Sequence, residues 1–159
     1  MEKTNIEWAD STWNPVTGCY HGCKYCYARQ IATRFGDFMR IDGNDIKTIN
    51  GPDGQICVEV EYKTANPYPE KFTPTFHKHR LSDYEGKKGR NIFVCSMADL
   101  FGEWVPDEWI NQVLTACKNF SQHNYLFLTK NPGRYNRIKN LPRNENFWFG
   151  TTVTNNYGW

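Results

Sequence analysis

The chain is short of net charge and of long apolar runs, and each shortage excludes something. Nineteen Lys and Arg against seventeen Asp and Glu leave a formal charge of +2 over 159 residues. That balance gives no overall electrostatic case for a nucleic-acid or membrane partner. Lys87, Lys88 and Arg90 form only a small basic cluster, which reads as a solvated loop. No apolar run approaches the ~20 residues that span a bilayer. Met1-Glu2-Lys3-Thr4-Asn5 is polar and lacks the apolar stretch of a secretory leader. No internal repeat or low-complexity stretch occurs. The composition of a disordered chain, low hydrophobicity with high net charge, is missing too. Hydrophobic residues make up 39% and aromatics 16%, enough for a core in what the length predicts to be one domain over 1–159.

What is there is cysteine. Without a leader, the six cysteines are expected in a reducing compartment, with cytoplasm as the default, where metal sites and free thiols are commoner than disulfides. Three of them fall in Cys19-Tyr20-His21-Gly22-Cys23-Lys24-Tyr25-Cys26, a C-x3-C-x2-C spacing. Three thiolates in one short loop suit three corners of a cubic [4Fe–4S] cluster. Such clusters usually take four cysteines, so three leave one iron open to another ligand. Gly18 and Gly22 let the loop wrap tightly. The spacing leaves two other readings open. Zinc in a structural site needs a fourth ligand, for which His21 and Cys57 are candidates. The Cys23-Cys26 pair also has the form of a redox dithiol. Cys57, Cys95 and Cys117 lie in apolar surroundings and read as small core residues.

Strand and helix patterns alternate along the chain. Thr12 to Gly18 reads as a strand running into the cysteine loop. Ala28, Ile31, Ala32 and Phe35 space a helix over Tyr27 to Phe35. Residues 36 to 70 are irregular, with turn signals at Gly43-Asn44, Asn50-Gly51 and Pro52-Asp53-Gly54, and Gln55 to Tyr62 forms a strand in a small β insertion around 40–70. Phe72 to Phe76 is a further core strand, weakened by Pro74, and His77 to Tyr84 a short helix. Asn91 to Met97 is a buried strand. Pro106 starts a helix whose first turn holds Asp107 and Glu108. Its apolar face is Trp109, Ile110, Val113, Leu114 and Cys117. Tyr125 to Thr129 is a strand, Pro132 opens a short helix through Lys139, and Phe147 to Val153 is a last strand. Alternation of this kind predicts an α/β fold with a parallel sheet.

The cysteine spacing resembles the signature of the radical S-adenosylmethionine enzymes. Wider blocks are similar to the phage Gp37/Gp68 family, a radical-SAM-like group: Ile6-Glu7-Trp8, Thr12-Trp13-Asn14-Pro15-Val16-Thr17-Gly18-Cys19, Cys26-Tyr27-Ala28-Arg29, Phe93-Val94-Cys95-Ser96-Met97-Ala98-Asp99-Leu100-Phe101, Leu128-Thr129-Lys130-Asn131-Pro132 and Trp148-Phe149-Gly150. The likeness covers about residues 5 to 155. It implies a partial (β/α) barrel of radical SAM type, with the site at the C-terminal ends of the strands. Full barrels need ~250 residues, so the resemblance also implies a barrel truncated at its C-terminus. Its open edge is expected to be completed by a missing segment or a partner chain.

The resemblance implies a chemistry as well. Cys19, Cys23 and Cys26 would ligate three irons, and the open iron would chelate the amino and carboxylate groups of S-adenosylmethionine. Reductive cleavage would then yield a 5′-deoxyadenosyl radical acting on an unknown substrate. A flavodoxin- or ferredoxin-like reductant is the expected electron donor. Tyr25 would pack beside the cluster or the adenine. Ser96 and Asp99, after the Asn91–Met97 strand, would hold the methionine ammonium or the ribose, although the usual Gly-Gly-Glu form is missing; for Asp99 the bland alternative is ordering of its own loop. Thr129 and Lys130 would reach the cofactor carboxylate or the substrate, and Asn14 would brace the loop. His77 and His79 read as locally hydrogen-bonded side chains, with acid/base groups toward the substrate as the alternative. The alternative function is a non-catalytic metal-binding module, iron–sulfur or zinc, with nucleic acid as a candidate partner.

Overall fold

A computed structural model describes residues 5–36 and 46–153, with the backbone of Glu2 and Lys3. The Gly43-Asn44 turn signal lies outside the described residues. The strands are β1 (Glu2–Lys3), β2 (Ser11–Trp13), β3 (Val16–Thr17), β4 (Ile46–Asn50), β5 (Ile56–Val60), β6 (Thr75–His77), β7 (Asn91–Val94), β8 (Asn124–Thr129) and β9 (Phe147–Thr151). The α-helices are α1 (Tyr27–Phe35) and α2 (Asp107–Asn119), and 3₁₀ turns lie at Lys78–Ser82, between β6 and β7, and Pro132–Arg137, between β8 and β9.

Two sheets result. The first has the order β1-β2-β7-β8-β9; β2, β7, β8 and β9 run parallel, and β1 caps the edge antiparallel. The second has the order β3-β6-β5-β4 and is mixed. The protein is therefore α/β. The insertion around 40–70 contributes the β4–β5 hairpin, which closes the second sheet. Cys57, Val58 and Val60 of β5 are buried, so this segment is part of the core.

Two expected strands take a different form. Thr12 to Gly18 is cut at Asn14-Pro15: β2 pairs with β7 in one sheet, and β3 pairs with β6 in the other. Proline has no N–H for a central ladder, and the chain changes sheets there while the Pro15 carbonyl accepts from the His77 amide at 2.7 Å. The Phe72 to Phe76 strand begins only after Pro74, and as β6 it belongs to the mixed sheet. The two short helices that begin at or near His77 and Pro132 are 3₁₀ turns.

One core joins both sheets to α2. Trp109, fully buried, packs its ring 5.4 Å from Phe76 of β6 and donates its indole N–H to Glu59 of β5 at 2.8 Å. Ile110, Val113, Leu114 and Cys117 bury the same face of α2, as its periodicity requires. Pro106 is the N-cap, and Asp107 and Glu108 lie in the first turn. The buried face of α2 shares one cluster with Ile92 and Val94 of β7 and Tyr125 and Phe127 of β8, on one face of the parallel sheet. The opposite face keeps exposed aromatics: Trp8, packed on Phe93 with ring centroids 4.9 Å apart, and Trp148, 62% exposed.

Candidate functional site

The cysteine loop begins where β2, β3 and β7 end. Gly18 bridges Ala98 in parallel register, and its amide donates to the Met97 carbonyl at 2.9 Å. Its φ is +87°, and a β-carbon there would lie 2.4 Å from the Thr73 carbonyl oxygen. Only glycine lets the chain pass this close to the Phe72–Thr73 backbone. The Cys19 amide then donates to Phe72 O at 3.3 Å, and the Tyr20 hydroxyl donates to Ile56 O at 2.6 Å. Gly22, at φ +69°, turns the loop in open space. Cys26 ends it as the N-cap of α1, its sulfur accepting from the Arg29 amide at 3.3 Å. A thiolate at that position complements the positive end of the helix.

Behind the loop lies a cavity of about 190 Å³. Cys19, Cys23 and Cys26 line it, together with Ser96, Asp99, Thr129 and Lys130 from the ends of β7 and β8. Phe72, Phe93 and Leu128 supply apolar wall. The structure therefore gathers the three motif cysteines, Ser96, Asp99 and Lys130 around one space. It does not bring Tyr25 there: that ring is 93% exposed at the crest of the loop, outside the lining. A hollow of about 320 Å³ continues along the same sheet face, sharing Leu128 and lined also by Trp8, Leu126, Trp148 and Gly150. A separate hollow of about 400 Å³, around Trp13, Lys63, His79 and Arg80, contains none of the cysteines.

All six cysteines are free thiols. Burial pushes the Cys19 thiol up to about 12, only partly offset by the His21 amide that donates to its sulfur at 3.5 Å. A metal taking Cys19 as thiolate therefore displaces a proton. Among the described residues no three His, Cys, Asp or Glu side chains converge on a point where they would hold one metal ion. A mononuclear zinc needs such convergence. A cubane takes one thiolate on each iron, so its cysteines surround a space without meeting at a point. Three thiols around one cavity are the donor set that such a group would take.

Asp99 is 5% exposed and fully engaged. Its Oδ2 lies 2.6 Å from His21 Nε2 and accepts from the Lys130 amide at 3.0 Å. Its Oδ1 accepts from the Phe101 amide at 3.0 Å and the Thr129 hydroxyl at 2.7 Å. Burial alone would raise its pKa; the hydrogen bonds from His21, Thr129 and Lys130 outweigh it and hold the carboxyl below its ordinary value. Both oxygens accept from groups of the protein, and these bonds order the loops after β7 and β8. Ser96 pairs with the Asn14 side chain at 3.2 Å, and Asn14 Oδ1 also accepts from the Met97 amide at 2.9 Å. Asn14 thereby ties the end of β2 to the turn after β7. The Lys130 ammonium has no ion-pair or hydrogen-bond partner among the described residues.

Sequence reasoning weighed His21 only as a zinc ligand and missed its bond to Asp99. The two are 78 residues apart, and no local spacing announces such a pair. The aromatic wall of Phe72 and Phe93 was missed as well; the alternation of β7, which turns Phe93 away from buried Ile92 and Val94, was the available signal.

Over residues 3–158 the chain matches the family described as Protein of unknown function (DUF5131). It belongs to that family. No curated protein and no solved structure matches it. Among the described residues no helix is long and apolar enough to cross a membrane.

Proposed function

We propose that this member of the DUF5131 family holds a [4Fe–4S] cluster on Cys19, Cys23 and Cys26 and binds S-adenosylmethionine beside it, as a radical-SAM-like enzyme of partial-barrel type. One observation carries the reading: three thiols of a C-x3-C-x2-C loop line a single cavity at the C-terminal ends of parallel strands, where α/β folds place their ligands. The resemblance to the Gp37/Gp68 family supports it. With both groups bound, the chemistry supplied is one-electron cleavage of the sulfonium S–C5′ bond to methionine and a 5′-deoxyadenosyl radical, which removes a hydrogen atom from the substrate.

The chain's own residues do the rest. Lys130, at the end of β8 with an ammonium that has no partner among the described residues, meets the carboxylate of the methionine moiety. Ser96, steadied by Asn14, offers a hydroxyl at the end of β7. Phe72, Phe93 and Leu128 keep water from the reacting carbon. Substrate occupies the hollow that runs past Leu128 toward Trp8 and Trp148. A small flavodoxin- or ferredoxin-like protein is the reductant we expect to dock at the exposed cysteine loop.

Anaerobic purification with metal analysis tests the ligand assignment. About four irons per chain are expected, and replacing Cys19, Cys23 and Cys26 together by Ala removes them. Full iron content in the triple variant overturns the assignment. The second reading, a non-catalytic cluster module, is favoured by the open parallel sheet, in which four strands leave one face exposed. A loaded cluster that cleaves no S-adenosylmethionine under strong reductant selects it.

A further inference from the structure

We propose that His21 and Asp99 form a positioning pair that sets the Cys19 corner of the site, an inference that rests on the cluster reading. His21 sits between Cys19 and Cys23, yet its side chain points away from the exposed crest. Its Nε2 lies 2.6 Å from Asp99 Oδ2, and its ring packs edge-on against buried Trp104 with centroids 4.8 Å apart. Its amide donates to Cys19 Sγ. Asp99 in turn is fixed by Thr129 and Lys130 at the end of β8. The loop is thus pinned to the parallel sheet through one imidazole, and the residue that is pinned also donates to the sulfur of the most buried part of the motif.

This arrangement has the form of the outer-shell contacts that orient metal ligands through a carboxylate-bound histidine. Here the imidazole would orient the backbone next to the ligand. Hydrogen bonds to cluster sulfurs set reduction potential. If the pair holds the His21 amide on Cys19, breaking it makes that sulfur more electron-rich and lowers the potential. Asp99 and His21 would be positioning residues, touching neither substrate nor iron.

The test uses the full chain with its cluster. His21→Phe keeps a ring against Trp104 and removes the bond to Asp99; Asp99→Asn is nearly the same shape and loses the charge. Both variants are expected to load iron as the parent does. Each should show a lower midpoint potential, shifted g values for the reduced cluster, and loss of iron to a chelator about tenfold faster or more. The double variant should be no worse than the worse single, because the two act through each other. Should Asp99→Asn fail to fold, His21→Phe alone decides. Parent-like potential and chelator rate in a folded His21→Phe protein, with only a lowered melting temperature, overturn the inference and leave the cluster reading standing. A parent chain that takes up no iron overturns the cluster reading itself, and the inference with it.

Discussion

At Gly18 and Gly22 the backbone takes φ of +87° and +69°, but the two glycines differ in surroundings. A β-carbon at Gly18 meets Thr73 O at 2.4 Å, whereas nothing lies within 4 Å of one at Gly22. Left-handed backbone costs an ordinary residue about 1–2 kcal/mol, and at Gly18 the clash with main chain adds to it. Gly22→Ala is expected to cost about that much and keep the loop. Gly18→Ala is expected to cost more, on the order of 3 kcal/mol or above, and to displace the cysteines. Urea unfolding of the two variants separates them; equal losses contradict the close approach. Both glycines were legible as loop formers, and the three cysteines as one local group, because their spacing is local. Asn14 was legible as a brace for the loop and Asp99 as a cofactor or loop-ordering residue, but not the partners of either. Their partners, Met97 and His21, come from across the fold, and a hydrogen bond over some eighty residues leaves no trace in spacing.

Among the elements, α2 was readable almost to its ends, because Pro106, Asp107 and a 3.6-residue apolar stripe agree on it. α1 matched its predicted span on the apolar spacing of Ala28, Ile31, Ala32 and Phe35 alone, with Cys26 as its N-cap. The β2–β3 break was harder to see: Pro15 marks a kink, but the choice of two sheets depends on β6, sixty residues away. The consequence is that α2 must hold two sheets together. Trp109 anchors α2 to the mixed sheet through Phe76 of β6 and Glu59 of β5. Trp109→Ala should cost about 3–5 kcal/mol, and Trp109→Phe, which drops only the Glu59 bond and some volume, about 1–2 kcal/mol. Chemical denaturation gives both; a Phe variant as unstable as the Ala one contradicts this division.

β6 carries a second buried device. His77 has no exposed surface; its Nε2 pairs with Thr17 Oγ1 at 2.8 Å. Burial first, then the positive neighbours Arg80 and His79, hold its pKa well below 6.5. The folded protein keeps His77 neutral while the unfolded chain protonates it, so its contribution is present above the ordinary histidine pKa and declines as pH falls below it. The slope is about 1.4 kcal/mol per pH unit for this one group. Melting temperature should therefore fall as pH drops below about 6.5, and His77→Gln should flatten that fall. A variant with the parent's full slope would assign the loss to other groups.

At the scale of the whole molecule, the α/β class followed from the alternation of strands and helices. The second sheet did not, since its hairpin lies in a turn-rich segment in which Cys57, Val58 and Val60 of β5 are the buried residues among the described strand positions. The molecule as described has one covered sheet face and one open face, with the cysteine loop at the strand ends beside the open one. On the proposed reading, that placement would give a bound cluster both a protein wall and room for a second ligand. Electron paramagnetic resonance of the anaerobically loaded, dithionite-reduced protein, recorded with and without S-adenosylmethionine, tests the central claim most directly. We predict a reduced [4Fe–4S] signal whose g values change when S-adenosylmethionine is added. A cluster signal unmoved by S-adenosylmethionine, or zinc in place of iron, would contradict it.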